Sequence, residues 1–386
     1  MDQQTKIDFN QYQQLFSNLG DTIWLNHAGV SPVSSAVAEG MRSHLEDVLT
    51  SGAAHTPEWY HELMNIRRLA SGLLGGSAKD IAVTPNTTYG VNLIASGLDW
   101  KEGDEIVLSS KEYPANVYPW WAQQERGAKL VWVEEDENHR LPVEAYEAKI
   151  TDRTKVLTVS HVQFATGFRH DLKRLGDICR ERGILFFVDA IQSFSVFDIR
   201  VEEWGIDALT TGSHKWLLGP TGIALFYTTP ELRDHLTTTF VGADSMVDSL
   251  DYLNYNFQLL PDARRFENAM LNFHGAAGLQ SALEVVARFG RENIETKIKQ
   301  NSERIRSNLL DLGFEDHSVR GEEEWSGILT LIPPGGDPTG CYEALKRRDL
   351  YTSVRDGRLR VSPHAYHPEE SFEKINQIFK AALKEI

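Results

Sequence analysis

The stretch Gly205-Ile-Asp-Ala-Leu-Thr-Thr-Gly-Ser-His-Lys-Trp-Leu-Leu-Gly-Pro-Thr-Gly222 carries one lysine, Lys215, between an apolar run and a cluster of glycines. The run ending near Thr211 reads as a buried strand. Gly212, Gly219, Pro220 and Gly222 then interrupt regular structure. Trp216, Leu217 and Leu218 follow the lysine directly. Burial among such neighbours disfavours the ammonium and leaves an amine able to attack a carbonyl. A lone loop lysine is ordinarily a solvated surface residue, so the reading of Lys215 depends on what the rest of the chain brings to it.

Upstream, short apolar runs alternate with helical patterns. Residues 81–84, 105–109, 129–133, 155–160, 184–188 and 207–211 read as strands, with helices at 87–96, 115–126, 142–149 and 172–182 between many of them. Such alternation predicts βαβ units and a mostly parallel sheet. The run 222–227 follows too closely for a crossover helix and is predicted as a seventh, antiparallel strand. Past residue 256 the pattern changes to long helices at 266–289 and 291–312. A strand at 327–332, a helix from Pro338, extended pieces over 351–361 and a last helix from Pro368 follow. The expectation is an α/β protein with a large domain over 20–255 and a smaller α+β domain over 256–386. Residues 1–19, weakly helical at Tyr12, Leu15, Phe16 and Leu19, are expected to join the smaller one.

The composition of the 386 residues, 41% apolar and 24% charged, is that of a soluble globular protein. A formal net charge of -16 argues against general affinity for nucleic acid or anionic membrane. Cys179 and Cys341 are the only cysteines and have no metal-ligand spacing, so neither a zinc site nor a disulfide framework is expected. No signal-peptide pattern or membrane span is read, and a cytoplasmic location is expected.

In open α/β sheets, ligands bind beyond the carboxyl ends of the strands. There the sequence places Pro85-Asn86-Thr87-Thr88-Tyr89-Gly90, a helix start with free amides and two hydroxyls, suited to a phosphate. Tyr113 offers a ring for stacking. Asp189 ends a wholly apolar run, and a buried acid costs several kcal/mol unless partnered. Each signal has an ordinary structural explanation: a helix cap for Thr87, Thr88 or Asp189, and packing for Tyr113. Together they fit pyridoxal 5'-phosphate, with its phosphate at Thr87 and Thr88, its ring against Tyr113, its ring nitrogen on Asp189 and its aldehyde on Lys215. No metalloprotease helix, phosphate-binding lysine loop or dinucleotide fingerprint is present.

From Leu25-Asn26-His27-Ala28-Gly29 to Arg360-Val361-Ser362-Pro363-His364 the chain resembles the class V aminotransferase group of fold-type I pyridoxal-phosphate enzymes. That group includes cysteine desulfurases, selenocysteine lyases, isopenicillin N epimerase and kynureninase. The resemblance implies a seven-stranded mostly parallel sheet flanked by helices. It implies Lys215 as the Schiff-base lysine, Asp189 on the ring nitrogen and Gln192 on the ring hydroxyl. Thr87, Thr88, Ser213 and His214 would serve the phosphate, Tyr113 would stack, and Arg360 would grip the substrate α-carboxylate. Homodimers with the site near the interface are the family's common form. Three departures stand out: no cysteine-bearing loop precedes Arg360, Phe164 stands where desulfurases carry asparagine, and Ala269-Met270 replaces a Gly-Thr that would reach the partner's phosphate.

The expected function is conversion of a small amino acid at its α-carbon or β-substituent, by transamination, epimerisation or β-elimination, the last without a persulfide-forming cysteine. The non-enzyme alternative is a noncatalytic, cofactor-binding regulatory protein.

Overall fold

The computed structural model describes residues 5–386. It contains thirteen strands: β1 (Ile23–Trp24), β2 (Ile81–Thr84), β3 (Glu105–Ser109), β4 (Lys129–Val133), β5 (Thr154–Ser160), β6 (Leu185–Asp189), β7 (Ala208–Gly212), β8 (Ala224–Thr228), β9 (Glu315–Asp316), β10 (Leu329–Ile332), β11 (Leu350–Tyr351), β12 (Ser353–Arg355) and β13 (Arg358–Val361). The large sheet has the order β2-β8-β7-β6-β5-β3-β4. Strand β8 runs antiparallel to both neighbours, as its short connection to β7 requires, and the remaining pairs are parallel.

Side chains alternate across this sheet and build a core on each face. Ile81, Val83, Val107, Leu157, Val159, Phe186 and Val188 pack on one side against the helices Thr56–Leu74, Leu172–Arg182 and Phe273–Phe289. Ala82, Ile106, Leu108, Val156 and Phe187 pack on the other, under the helix Thr87–Gly97 and Trp120. Both faces are covered, which is why the strands read as continuous apolar runs.

The sequence reading needs three amendments. The helices Ser35–Ser51 and Thr56–Leu74, left unassigned there, supply a face of the first core. The predicted helix at 115–126 is broken into 3-10 turns around Tyr118–Trp121, where Pro114 and Pro119 lack the N–H that a longer helix needs. The predicted helix at 266–289 begins only at Phe273, capped by Asn272, whose Oδ1 accepts the Gly275 N–H at 3.0 Å. Ahead of it, Glu267 leaves helical geometry to accept the Val83 N–H at 2.7 Å and to meet Arg67 at 2.5 Å, both inside the protein.

The smaller sheet, β12-β13-β10-β9, is antiparallel and packs on the helices Arg291–Asp311, Pro338–Lys346 and Ser371–Ala382. Strand β1 pairs in parallel with β11, so the segment after the first helix is bound to the carboxyl-terminal part of the chain. Tyr12 stacks on Phe289 at 4.2 Å and Phe16 on Tyr366 at 4.0 Å. No helix among the described residues is long and apolar enough to cross a membrane.

Candidate active site

Strand β7 delivers the chain into a tight loop around Lys215. The Gly219 N–H donates to the Ser213 carbonyl at 2.8 Å, the Leu218 N–H to the Lys215 carbonyl at 3.0 Å, and the Ser31 N–H to the His214 carbonyl at 2.8 Å. Leu218 is held at φ +59°, a left-handed conformation that a leucine adopts only under such constraint. The Ser213 hydroxyl donates to the carbonyl oxygens of Pro220 and Ile223, so it closes this loop.

Lys215 is 9% exposed, and its Nζ sits 5.3 Å from the centre of the Tyr113 ring. Burial lowers its pKa below that of an ordinary lysine; Asp189 opposes the shift, and Arg360 and Arg355 add to it. Asp189 ends β6 and is 1% exposed. Burial raises its pKa, while the Ile191 N–H, donating to Oδ1 at 2.9 Å, and the charge of Lys215 pull it down. A cationic ring nitrogen set against this buried carboxylate would stabilise its charged form.

The helix Thr87–Gly97 begins beside the loop, with Asn86 as its cap accepting the Tyr89 N–H at 2.9 Å. Thr87 Oγ1 is buried and has no hydrogen-bond partner among the described residues. A side chain at Gly212 would stand 3.1 Å from that oxygen and 3.2 Å from His214 Cε1, so the glycine keeps a hollow open between them. An orphaned hydroxyl, a glycine-lined hollow and free helix amides fit a phosphate. Thr88 belongs to the same turn, though it is exposed.

Gln192 donates to the Ala28 carbonyl at 3.1 Å and accepts the Trp216 Nε1–H at 2.7 Å, bracing the residue after the lysine. One of its amide hydrogens is left for a ring hydroxyl. Tyr113, 44% exposed, meets the Phe164 ring edge-to-face at 5.2 Å. Arg360 is 1% exposed. It donates from Nε to Ser353 Oγ at 3.1 Å, from Nη1 to the Phe164 carbonyl at 2.7 Å and from Nη2 to Asn26 Oδ1 at 3.3 Å. A guanidinium has five N–H groups, so two remain for a carboxylate. The residues expected at Thr87, Tyr113, Asp189, Gln192, His214, Lys215 and Arg360 thus lie on linked contacts around one crevice, while Ser213 holds its wall. Those residues fit pyridoxal phosphate.

Sequence reasoning missed the supports. Asn26 and Ser353 orient Arg360, and only the pairings of distant strands bring them there. Glu112 is buried beside Tyr113 and accepts the Ser160 N–H at 2.6 Å, the Ser160 hydroxyl at 2.5 Å and Gln163 Nε2 at 3.0 Å, fixing the loop that carries the ring. An acid three residues past the buried strand Glu105–Ser109 was its one available signal. Met270, expected to cost a contact with a partner's phosphate, is 68% exposed. Both cysteines are buried free thiols. Burial pushes the Cys341 thiol up to about 12 and raises that of Cys179 as well.

The model of the aminotransferase class-V family matches residues 23–369. A probable cysteine desulfurase of Pyrococcus abyssi is 27% identical, with 83% of each chain covered. An uncharacterized aminotransferase of Bacillus subtilis is 26% identical over 97% of this chain and 98% of its own. Among solved structures, the apo cysteine desulfurase of Thermococcus onnurineus superposes with a TM-score of 0.88 at 25% identity, covering 99% of both chains.

Proposed function

This chain belongs to the aminotransferase class-V family and is a pyridoxal-phosphate enzyme, and we propose that it acts at the α-carbon or the β-substituent of a small amino acid, with Lys215 as its base and no protein thiol as acceptor. Pyridoxal phosphate, when bound, supplies the carbonyl that takes an amine and the ring that draws electrons from the α-carbon. Thr87, Thr88 and His214 would hold its phosphate, with Ser213 closing the loop beside them, Tyr113 and Gln192 its ring face and hydroxyl, and Asp189 its ring nitrogen. Arg360 binds the substrate carboxylate through its two uncommitted N–H groups. Lys215 Nζ, kept from full protonation by burial, is placed to take the α-proton and return it. The burial of Asp189 and Lys215 at the ends of the neighbouring strands β6 and β7, with the lysine Nζ 5.3 Å from the centre of the Tyr113 ring, is the observation that carries this reading.

The absence of a persulfide step rests on the β12–β13 turn. It consists of Asp356 and Gly357 alone, at φ +48° and +70°, where a mobile cysteine loop would have to emerge. A thiolate must also be accessible and of low pKa, and neither cysteine is. We place the enzyme in the cytoplasm as a homodimer. The exposed apolar side chains Leu250, Tyr252, Leu253, Tyr255 and Phe257 support a covered face there, and light scattering on the purified protein tests it. The decisive experiment is borohydride reduction of the yellow protein, followed by a screen of amino acids for keto acid, sulfide and D-amino acid. Label on a peptide containing Lys215 is expected; label on another lysine overturns the assignment.

A further inference from the structure

We propose that Arg355 is a second anion-binding residue of this pocket, making amino acids with a side-chain carboxylate the preferred substrates. The inference rests on the reading of the pocket above and names its substrate class.

The two-residue turn fixes the register of the hairpin: Ser353 faces Arg360 and Arg355 faces Arg358. Successive side chains alternate between faces of a strand, so Ser353, Arg355, Arg358 and Arg360 share one face. Arg360 on this face donates to the carbonyl of Phe164, whose ring meets Tyr113, so the face turns toward the crevice. Arg355 is the diagonal neighbour of Arg360, roughly 7–8 Å away at the backbone and within reach of long side chains.

The arginines of this face differ in what they are given. Arg358 donates to Asp356 at 3.1 Å and to His139 Nε2 at 2.9 Å. Asp356, the nearest acid in sequence, is also shared with Lys111 at 3.5 Å. Arg355 donates to the carbonyl of its own neighbour, Val354, at 2.7 Å and forms no ion pair among the described residues. Its side chain is exposed, at the rim of the pocket, and its charge weighs against the protonated forms of both Lys215 and Arg360. Two cations on one face with no protein carboxylate between them repel one another. A dianion with one carboxylate on Arg360 and the other on Arg355 relieves that repulsion. Aspartate and glutamate carry their two carboxylates close enough to span the pair, whereas alanine or cysteine reaches Arg360 alone.

The test uses the cofactor-loaded enzyme and two unreactive probes, succinate and propionate, followed by the shift in cofactor absorbance. Succinate is expected to bind about tenfold or more tightly than propionate. Arg355→Gln should erase that preference by weakening succinate far more than propionate, and Arg360→Gln should weaken both. Equal affinity for the two probes in the parent, or a preference that survives in Arg355→Gln, overturns the proposal. Borohydride labelling of the same preparation separates the failures: label at Lys215 without a preference for succinate removes only the role of Arg355, and absence of label there removes the pocket reading itself.

Discussion

The floor of the crevice and the hairpin that faces it hold charge in opposite ways. On the floor, Lys215 and Asp189 are buried side by side, and burial moves each toward its neutral form while the neighbour's charge resists. On the hairpin stand guanidinium groups, whose charge is permanent across the working pH range. A pair balanced near neutrality is suited to moving protons. A fixed fork is suited to recognising a carboxylate. On the proposed function the difference divides the labour of the site: chemistry falls to the ends of β6 and β7, and selection to β12 and β13.

Substitutions on the two sides should therefore fail differently. Lys215→Ala should lose on the order of 10⁴-fold in turnover while still binding substrate, as removal of a base and nucleophile does. Substantial residual turnover in a steady-state assay would move the chemistry off the floor. Asp189→Asn keeps the shape but not the charge, and should bind cofactor more weakly and lose at least about a hundredfold in kcat; unchanged kcat would reduce Asp189 to a cap for the turn at Ile191. Arg360→Lys, on the other side, should act mainly on KM, by roughly ten- to a hundredfold, because an ammonium cannot replace the bidentate fork.

A pH titration sharpens the contrast. Uptake of pyridoxal phosphate by the apoprotein requires the neutral amine of Lys215, so its rate should rise with pH through a midpoint below 10.5, the ordinary lysine value. Arg355→Gln removes a positive charge that favours the neutral amine, so that midpoint should move upward, as stopped-flow absorbance would register. The smallest effect belongs to neither wall: a Cys179→Ala, Cys341→Ala double variant should keep the parent's activity, and loss of sulfur transfer on removing Cys341 would return a thiol to the mechanism.

The floor was legible in the sequence and the hairpin largely was not. Lys215, Asp189 and Thr87 each follow a short apolar run, and the rule that ligands gather at strand ends locates them without coordinates. Strands such as β2, β3 and β4 have the predicted bounds because apolar runs ended by glycine and polar residues leave little latitude. Arg360 was found by family resemblance, but its neighbour Arg355 acquires meaning only from the register set by Asp356 and Gly357. The helix start at Phe273 was misplaced because the demand of Glu267 for the Val83 amide and Arg67 comes from residues about two hundred positions away. Local periodicity carries no trace of such a tertiary claim.

The bond from Arg360 to Asn26 joins residues 334 positions apart, and β1 can pair only once β11 exists. On the ribosome, the lysine floor is complete long before the arginine hairpin has been made. Closing so long a loop is among the slow steps of folding, since its entropy must be met before the contacts repay it. On the roles proposed for them, the nascent chain holds Lys215 for much of synthesis without Arg360, and the means of choosing among amino acids arrives only with the β12–β13 hairpin.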